Sequence, residues 1–300
     1  MSPRAARFSS VLAAGALLTS IASTAHAAQP ARARAAGSFT YTIGVSLPYN
    51  QLAELSNGIR DSVQVAIAQA NAKKLIPGVT LQINSIDDTV NGKNDGAKDA
   101  QNARQFIADN RVIGEVGPLN SGAAKVSEPV YNRAGLVQIS PSNTNPDLTS
   151  RAKRALYEPA SATSGAPITY FRTCTTDIVQ GKSDALYAKK AGFKNIFVTD
   201  NQDTYGIGLA NYFAQEAKAI GLNVLGQSEL DANNIPSSAQ SLATTIASKK
   251  PDLVFFGGEY GPKGGAEILA DDLRKAGLKN VVFMGGDGIY ATDFIRLVAE

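Results

Sequence analysis

The sequence predicts an α/β protein with two parallel sheets. Three observations point there: short β-branched or apolar runs alternate with helical stretches, the runs fall into two sets, and one stretch without apolar periodicity separates the sets. Strands that alternate with helices are joined by crossover connections, and the resulting parallel sheet is covered by helices on both faces. The expected architecture is two Rossmann-like lobes joined by a hinge.

The elements run as follows. "YTIGVSL" (41–47), "VTLQINSI" (79–86), "VIGEVG" (112–117) and "LVQIS" (136–140) read as strands of the first lobe. "NIFVTD" (195–200), "NVLGQSE" (223–229), "DLVFFGG" (252–258) and "NVVFMGG" (280–286) read as strands of the second. The helices between them have apolar residues at helical spacing, such as Ala123, Val126, Val130 and Ala134, or Leu209, Phe213, Ala217 and Ile220. Residues 150–168 are rich in Ala, Ser and Pro and mark the break. The first lobe is therefore expected over 39–170 and the second over 171–300, joined near residues 169–176.

The beginning of the chain reads differently. Arg4 and Arg7 precede the apolar run from Val11 to Ser23, and Ala25, His26 and Ala27 supply a small-x-small cleavage pattern, so residues 1–28 read as a signal peptide. The run is too short and too rich in Ala and Ser for a convincing membrane span, a retained anchor being the alternative. No cysteine stands near the cleavage site for lipid attachment. Residues 29–38 read as a disordered lead-in. The expected location is periplasmic or secreted, after cleavage near Ala27.

Composition excludes several chemistries. His26 is the only histidine, so the processed chain has none for a catalytic triad or a metal site. Cys174 is the only cysteine, which leaves no disulfide framework; without a histidine to activate it, a buried or junction thiol is the expectation. Removing Arg4 and Arg7 leaves 27 basic against 26 acidic side chains, with no basic stripe to suggest nucleic acid. The glycine-containing turns match neither a dinucleotide fingerprint nor a phosphate loop.

The candidate site lies where strands end. Ligands of open parallel sheets bind outside the carboxyl ends of the strands. "VIGEVGPLNSG" places Ser121 at the start of a helix, and "ISPSNTNPDLT" places Ser142 and Thr144 at the next strand end. Hydroxyl groups beside a helix N-terminus suit a carboxylate. Capping and turn formation alone would also justify these residues.

"GPLNSGAAKVSEPVYNRAGLVQISPSNTNPDLT", "FRTCTTDIVQG", "VTDNQDTYGIGLANYF" and "FFGGEYGPKGGAEILADDLRKAGLKNVVFMGGDGIY" resemble, in the same order, segments of the leucine/isoleucine/valine-binding family of type I periplasmic binding proteins. The resemblance runs from about residue 41 to 300. It implies a hinged trap for an amino acid or small amide that serves an ABC permease, and no enzyme, cofactor or metal. Ser121 falls on the family's carboxylate-binding serine and Thr144 on a second carboxylate donor. Ser142 falls where a backbone carbonyl receives the ammonium, Tyr205 on a cleft-lining tyrosine, and Asp287 on the acid that receives the α-ammonium. The implied mechanism is hinge closure on a ligand docked through its carboxylate, in a monomer that engages the permease when closed.

Three departures accompany the resemblance. Glu259 stands where the branched-chain binders have an aromatic residue; it either pairs with a lysine such as Lys263 or sits exposed, or it brings a second carboxylate to the cleft. The chain has no tryptophan, and Tyr49 to Leu55 is the loop where some relatives place one against the ligand. Family members continue with a last strand and a return into the first lobe, so the 300 residues are expected to lack closing elements of that lobe. Two readings from other classes stay open: an enzyme using a carboxylate pair such as Asp87 with Asp287, and a sensory module that reports the same ligand to a receptor.

Overall fold

A computed structural model describes residues Ser38 to Ala299, and these cluster as one compact unit. The expected signal peptide and most of the lead-in lie outside the described residues. Strand β1 (Phe39–Leu47) leads into helix α1 (Ala53–Ala72), β2 (Val79–Asp87), the short hairpin β3 (Thr89–Val90) and β4 (Lys93–Asn94), and α2 (Gly96–Ala108). Then come β5 (Val112–Val116), α3 (Ser121–Ala134), β6 (Val137–Ser140), the short helices α4 (Arg154–Tyr157) and α5 (Pro159–Ser164), and β7 (Tyr170–Arg172). The rest comprises α6 (Asp177–Lys190), β8 (Asn195–Asp200), α7 (Thr204–Ala219), β9 (Asn223–Glu229), α8 (Ile235–Lys249), β10 (Leu253–Gly257), α9 (Ala266–Lys275), β11 (Val282–Gly285) and α10 (Thr292–Ala299).

Two parallel sheets result, ordered β2-β1-β5-β6-β7 and β11-β10-β8-β9. Both wind the same way, with the second strand outside the first and the later strands on its other side. Each sheet therefore has a switch point, between β1 and β5 in one and between β8 and β10 in the other, and there the loops diverge and leave a crevice. β10 is buried along its whole length, as an apolar strand covered on both faces should be.

The sequence reading misses β7, three residues too short to show a pattern, which pairs with β6 and belongs to the first sheet. The chain leaves the first sheet through the segment between Arg172 and Asp177, where α6 begins. Cys174 sits in it, half-buried, its thiol donating to the Asn143 carbonyl at 3.3 Å, as a junction cysteine. The α3 face also differs from its periodicity. Val126 is 45% exposed and Ala134 is exposed, while Ser127, Glu128 and Asn132 are buried. On α7 the expected face holds: Leu209, Phe213 and Ala217 are buried. Among the described residues no helix is long and apolar enough to cross a membrane.

Candidate functional site

Every sequence-predicted site residue follows the carboxyl end of a parallel strand: Ser121 after β5, Ser142 and Thr144 after β6, Tyr205 after β8, Glu259 after β10 and Asp287 after β11. Five of the six line one cavity of about 230 Å³. Its wall is mostly apolar, with Leu52, Leu55 and Ile59 from α1 and the loop before it, Leu119, and the 85% exposed ring of Tyr290 at the rim. Polar groups occupy two sides, Ser121 and Ser142 from the first body, Glu259 and Asp287 from the second.

The first side is built by the turns after β5 and β6. Gly117 has φ +145, and a Cβ there would lie 2.6 Å from the Ser46 carbonyl oxygen, so only glycine lets β5 turn this close to β1. The turn delivers Ser121 to the first position of α3, where helix N–H groups lack intrahelical partners and favour an anion. The Ser121 hydroxyl accepts from the Asn145 amide at 3.2 Å, which leaves its proton free to donate. Asn120, not Ser121, is the N-cap, and its side chain makes no cap hydrogen bond. Ser142 differs: its hydroxyl already donates to the Leu119 carbonyl at 2.7 Å and its amide donates to Ser140 Oγ at 3.2 Å, so neither proton is free for a ligand carboxylate, and its carbonyl is the backbone group left to receive a donor.

Thr144 does not line the cavity. Its carbonyl accepts from the Asp177 amide at 2.9 Å, and Arg172 donates to the carbonyls of Asn143 and Asn145 on either side, drawing this segment towards the chain's exit from the first sheet. The Thr144 hydroxyl is buried without a hydrogen-bond partner.

On the second side, α7 begins against the end of β10. A Cβ on Gly206 would meet the Gly257 carbonyl oxygen at 2.5 Å, and this close approach seats Tyr205 beside the β11 turn. The Tyr205 hydroxyl donates to Asp287 Oδ1 at 2.8 Å and accepts from the Gly288 amide at 3.0 Å. Asp287 is exposed along the crevice, yet the surrounding walls push its carboxyl above the usual carboxylate range, a rise that the Tyr205 hydrogen bond opposes. On α6, Asp177 and Asp184 are pushed up to about 7, first by burial and also by the charge of Asp287.

Glu259 neither pairs with Lys263 nor sits exposed. It is 4% exposed, and its two oxygens accept from Asn120 Nδ2 at 3.1 Å and Asn201 Nδ2 at 2.6 Å. Burial and then the nearby Asp203 push its carboxyl well above the usual range. Asp87 is not on the cavity wall; its carboxylate accepts from Asn50 at 2.7 Å and from Thr89, so the structure does not pair it with Asp287 there. The sequence reading missed Asn120, Asn201 and the aliphatic wall. Asn120 precedes Ser121 directly, and an asparagine before a helix reads first as a cap. Among the described residues no group of His, Cys, Asp or Glu could hold a metal ion.

A family profile described as periplasmic binding protein matches residues 40–300. The chain belongs to that family. This binding-protein chain is similar to the Leu/Ile/Val-binding protein BraC3 of Rhizobium johnstonii, 29% identical over 260 residues that cover 84% of the chain and 63% of the relative. The Leu/Ile/Val-binding protein of Escherichia coli is 28% identical over 236 residues, covering 78% of the chain and 58% of the relative. The chain thus spans less than two thirds of these curated relatives. Among solved structures, the branched-chain amino acid transporter substrate binding protein LivJ of Streptococcus pneumoniae, in complex with isoleucine, superposes with a TM-score of 0.70 at 22% identity, over 86% of this chain and 67% of that one. A solute binding protein of R. palustris in complex with 4-hydroxybenzoate gives 0.68 at 18% identity, over 86% and 65%. The family and these relatives are described as substrate-binding proteins rather than enzymes.

Proposed function

We propose that this chain is the solute-binding component of an ABC transporter outside the cytoplasmic membrane, a monomer that traps a branched-chain amino acid between two lobes and delivers it to the permease. The observation that carries this reading is the arrangement of one small cavity: an anion-favouring helix start with Ser121 on one side, the acid Asp287 on the other, and an aliphatic wall between them. The two polar sides match the two ends of a zwitterion, and the wall matches an aliphatic side chain. A volume of about 230 Å³ is below the ~300–1,000 Å³ of sites for drug-sized ligands, which favours a single amino acid.

Docking begins on the first lobe, where the α3 N-terminus and Ser121 receive the carboxylate and the backbone at Ser142 can receive part of the ammonium. Motion about residues 173–176 then brings Tyr205 and Asp287 onto the ammonium. A buried ammonium needs a partner once water leaves, so Asp287 favours the closed state. Ligand shifts the lobes towards closure by its extra affinity for that state.

The test is thermal unfolding of the purified chain against each common amino acid and several small amides. Leucine, isoleucine or valine at about 100 times its Kd should raise the midpoint by about 5–10 °C. Asp287→Ala should weaken that ligand about 100-fold. A cooperative transition that no amino acid or amide moves would overturn the reading.

A further inference from the structure

Glu259 is the one buried carboxylate of the cavity that the amino-acid trap does not use. The first body gives it a donor from Asn120, the N-cap of α3, and the second gives it a donor from Asn201, in the loop between β8 and α7. The Asn201 amide is oriented by its own oxygen, which accepts from the Asp203 amide at 3.2 Å, so its NH2 group must face Glu259. A single side chain therefore spans the gap between the bodies at the level of the cavity. The helix starts beside it also approach: a Cβ on Gly122 of α3 would lie 3.3 Å from Asp203 Oδ1 and 3.5 Å from Thr204 Oγ1.

The charges around Glu259 are one-sided. Asp203, the N-cap of α7, lies against it; Tyr205 faces both it and Asp287; Asn120 and Asn201 are neutral. No lysine or arginine pairs with Glu259 among the described residues. Two acceptors beside it, Asp203 Oδ2 and Asn120 Oδ1, are buried without a donor. Two carboxylates at one buried contact, with acceptors left over, lack a donor hydrogen. A proton on the Glu259 carboxyl supplies it, donating to Asp203 while both Glu259 oxygens keep a lone pair for the asparagines.

We infer that Glu259 is a positioning residue that joins the two bodies across the ligand cavity and takes up a proton from solvent as they meet. This rests on the two-lobed trap reading, and the consequence is a closure that weakens as pH rises. The sign follows from linkage: a carboxyl protonated more readily in the joined state contributes fully below its ordinary titration range, and that contribution is lost as pH rises through its joined-state value. Glu259 also selects against a second cation in the ligand, because its oxygens are engaged and its charge is absent when the lobes close.

The test uses the ligand-free chain, so it does not depend on which solute is bound. Unfolding midpoints of the parent, Glu259→Gln and Asp203→Asn are compared from pH 5 to 9. Glu259→Gln should gain on the parent as pH rises, by about 3 °C or more across the range, and Asp203→Asn should flatten the parent's profile. Parallel profiles overturn the proton. Should Glu259→Gln fail to fold, Asp203→Asn alone decides, because an unchanged profile there has the same meaning. Asn120→Ala combined with Glu259→Gln should be non-additive, and strict additivity overturns the bridge between bodies. A midpoint raised by lysine but not leucine, and lost in Glu259→Gln, would show an ionised Glu259 holding a ligand cation and overturn the inference, while leaving the trap itself standing.

Discussion

Helices α3 and α7 meet across the cavity, yet they are buried by different means. The inner face of α7 is apolar, with Leu209, Ala210, Phe213, Ala214 and Ala217 packed on β8 and β10. The inner face of α3 carries Ser127, Glu128 and Asn132. Ser127 accepts from Gln138 at 3.0 Å, and Asn132 donates to Ser161 and Thr169 while accepting from the Ala160 amide at 2.8 Å. α7 is held by the area it removes from water, whereas α3 buries Ala123, Ala124 and Tyr131 and adds the hydrogen bonds of Ser127 and Asn132 to that area. Around α3 the first body also buries the carboxyl groups of Asp99 and Glu115, whereas around α7 the second packs Val198 and Phe255.

The largest effect should come from the apolar side. Phe213 and Phe255 stack with ring centroids 3.7 Å apart, both fully buried. Phe213→Ala removes that contact and leaves a cavity, so it should cost about 3–5 kcal/mol in urea unfolding, with little dependence on pH. A loss below about 1 kcal/mol would mean that the second body is not held by this core.

The polar side should respond to pH instead. Burial pushes Asp99 up to about 6, against the Ser46 and Ser127 hydroxyls that favour its charge. A raised folded value means that the contribution of Asp99 is complete below its ordinary range near 3.8 and is lost as pH rises through about 6. Asp99→Asn keeps an oxygen for Ser46 and cannot ionise. It should therefore gain on the parent between pH 4 and 7 by roughly 2–3 kcal/mol, read from denaturant midpoints at each pH. Parallel curves would mean that Asp99 is ionised in the folded protein and that the first body is not proton-linked there.

The same contrast decides what could be read from the sequence. β8 and β9 match their runs end to end, and the α7 face shows at Leu209, Phe213 and Ala217, because burial there follows hydrophobicity. On α3 periodicity selects Ala123 and Val130, which are buried or packed on the core, but also Val126 and Ala134, which are exposed, because Ser127 and Asn132 take buried positions whose partners come from other elements. The site follows the same rule. Ser121 can be picked out from its strand end and turn alone, whereas Tyr205 and Asp287 are reached only through the family resemblance. Asn120 and Asn201 are reached by neither, since their role depends on Glu259, which is 139 residues from the first and 58 from the second.

The smallest effect tests whether Val126 belongs to the core at all. It reaches sideways to α2: a Cβ on Gly96 would lie 2.6 Å from Val126 Cγ2 and 3.4 Å from the Gly122 carbonyl oxygen. Val126→Ala alone should therefore cost no more than about 0.5–1 kcal/mol, as for a half-exposed side chain with one neighbour. Gly96→Ala should cost about 1 kcal/mol against the intact valine, because a β-branched side chain has few rotamers with which to withdraw. With Val126 already alanine, the obstacle is gone, and the added methyl also restricts the unfolded chain. The double variant should then be at least as stable as Val126→Ala alone. Equal costs of Gly96→Ala in both backgrounds would place the obstruction at the Gly122 backbone, and the α2–α3 contact would be fixed by main chain rather than by Val126, one of the four residues that periodicity assigned to the core.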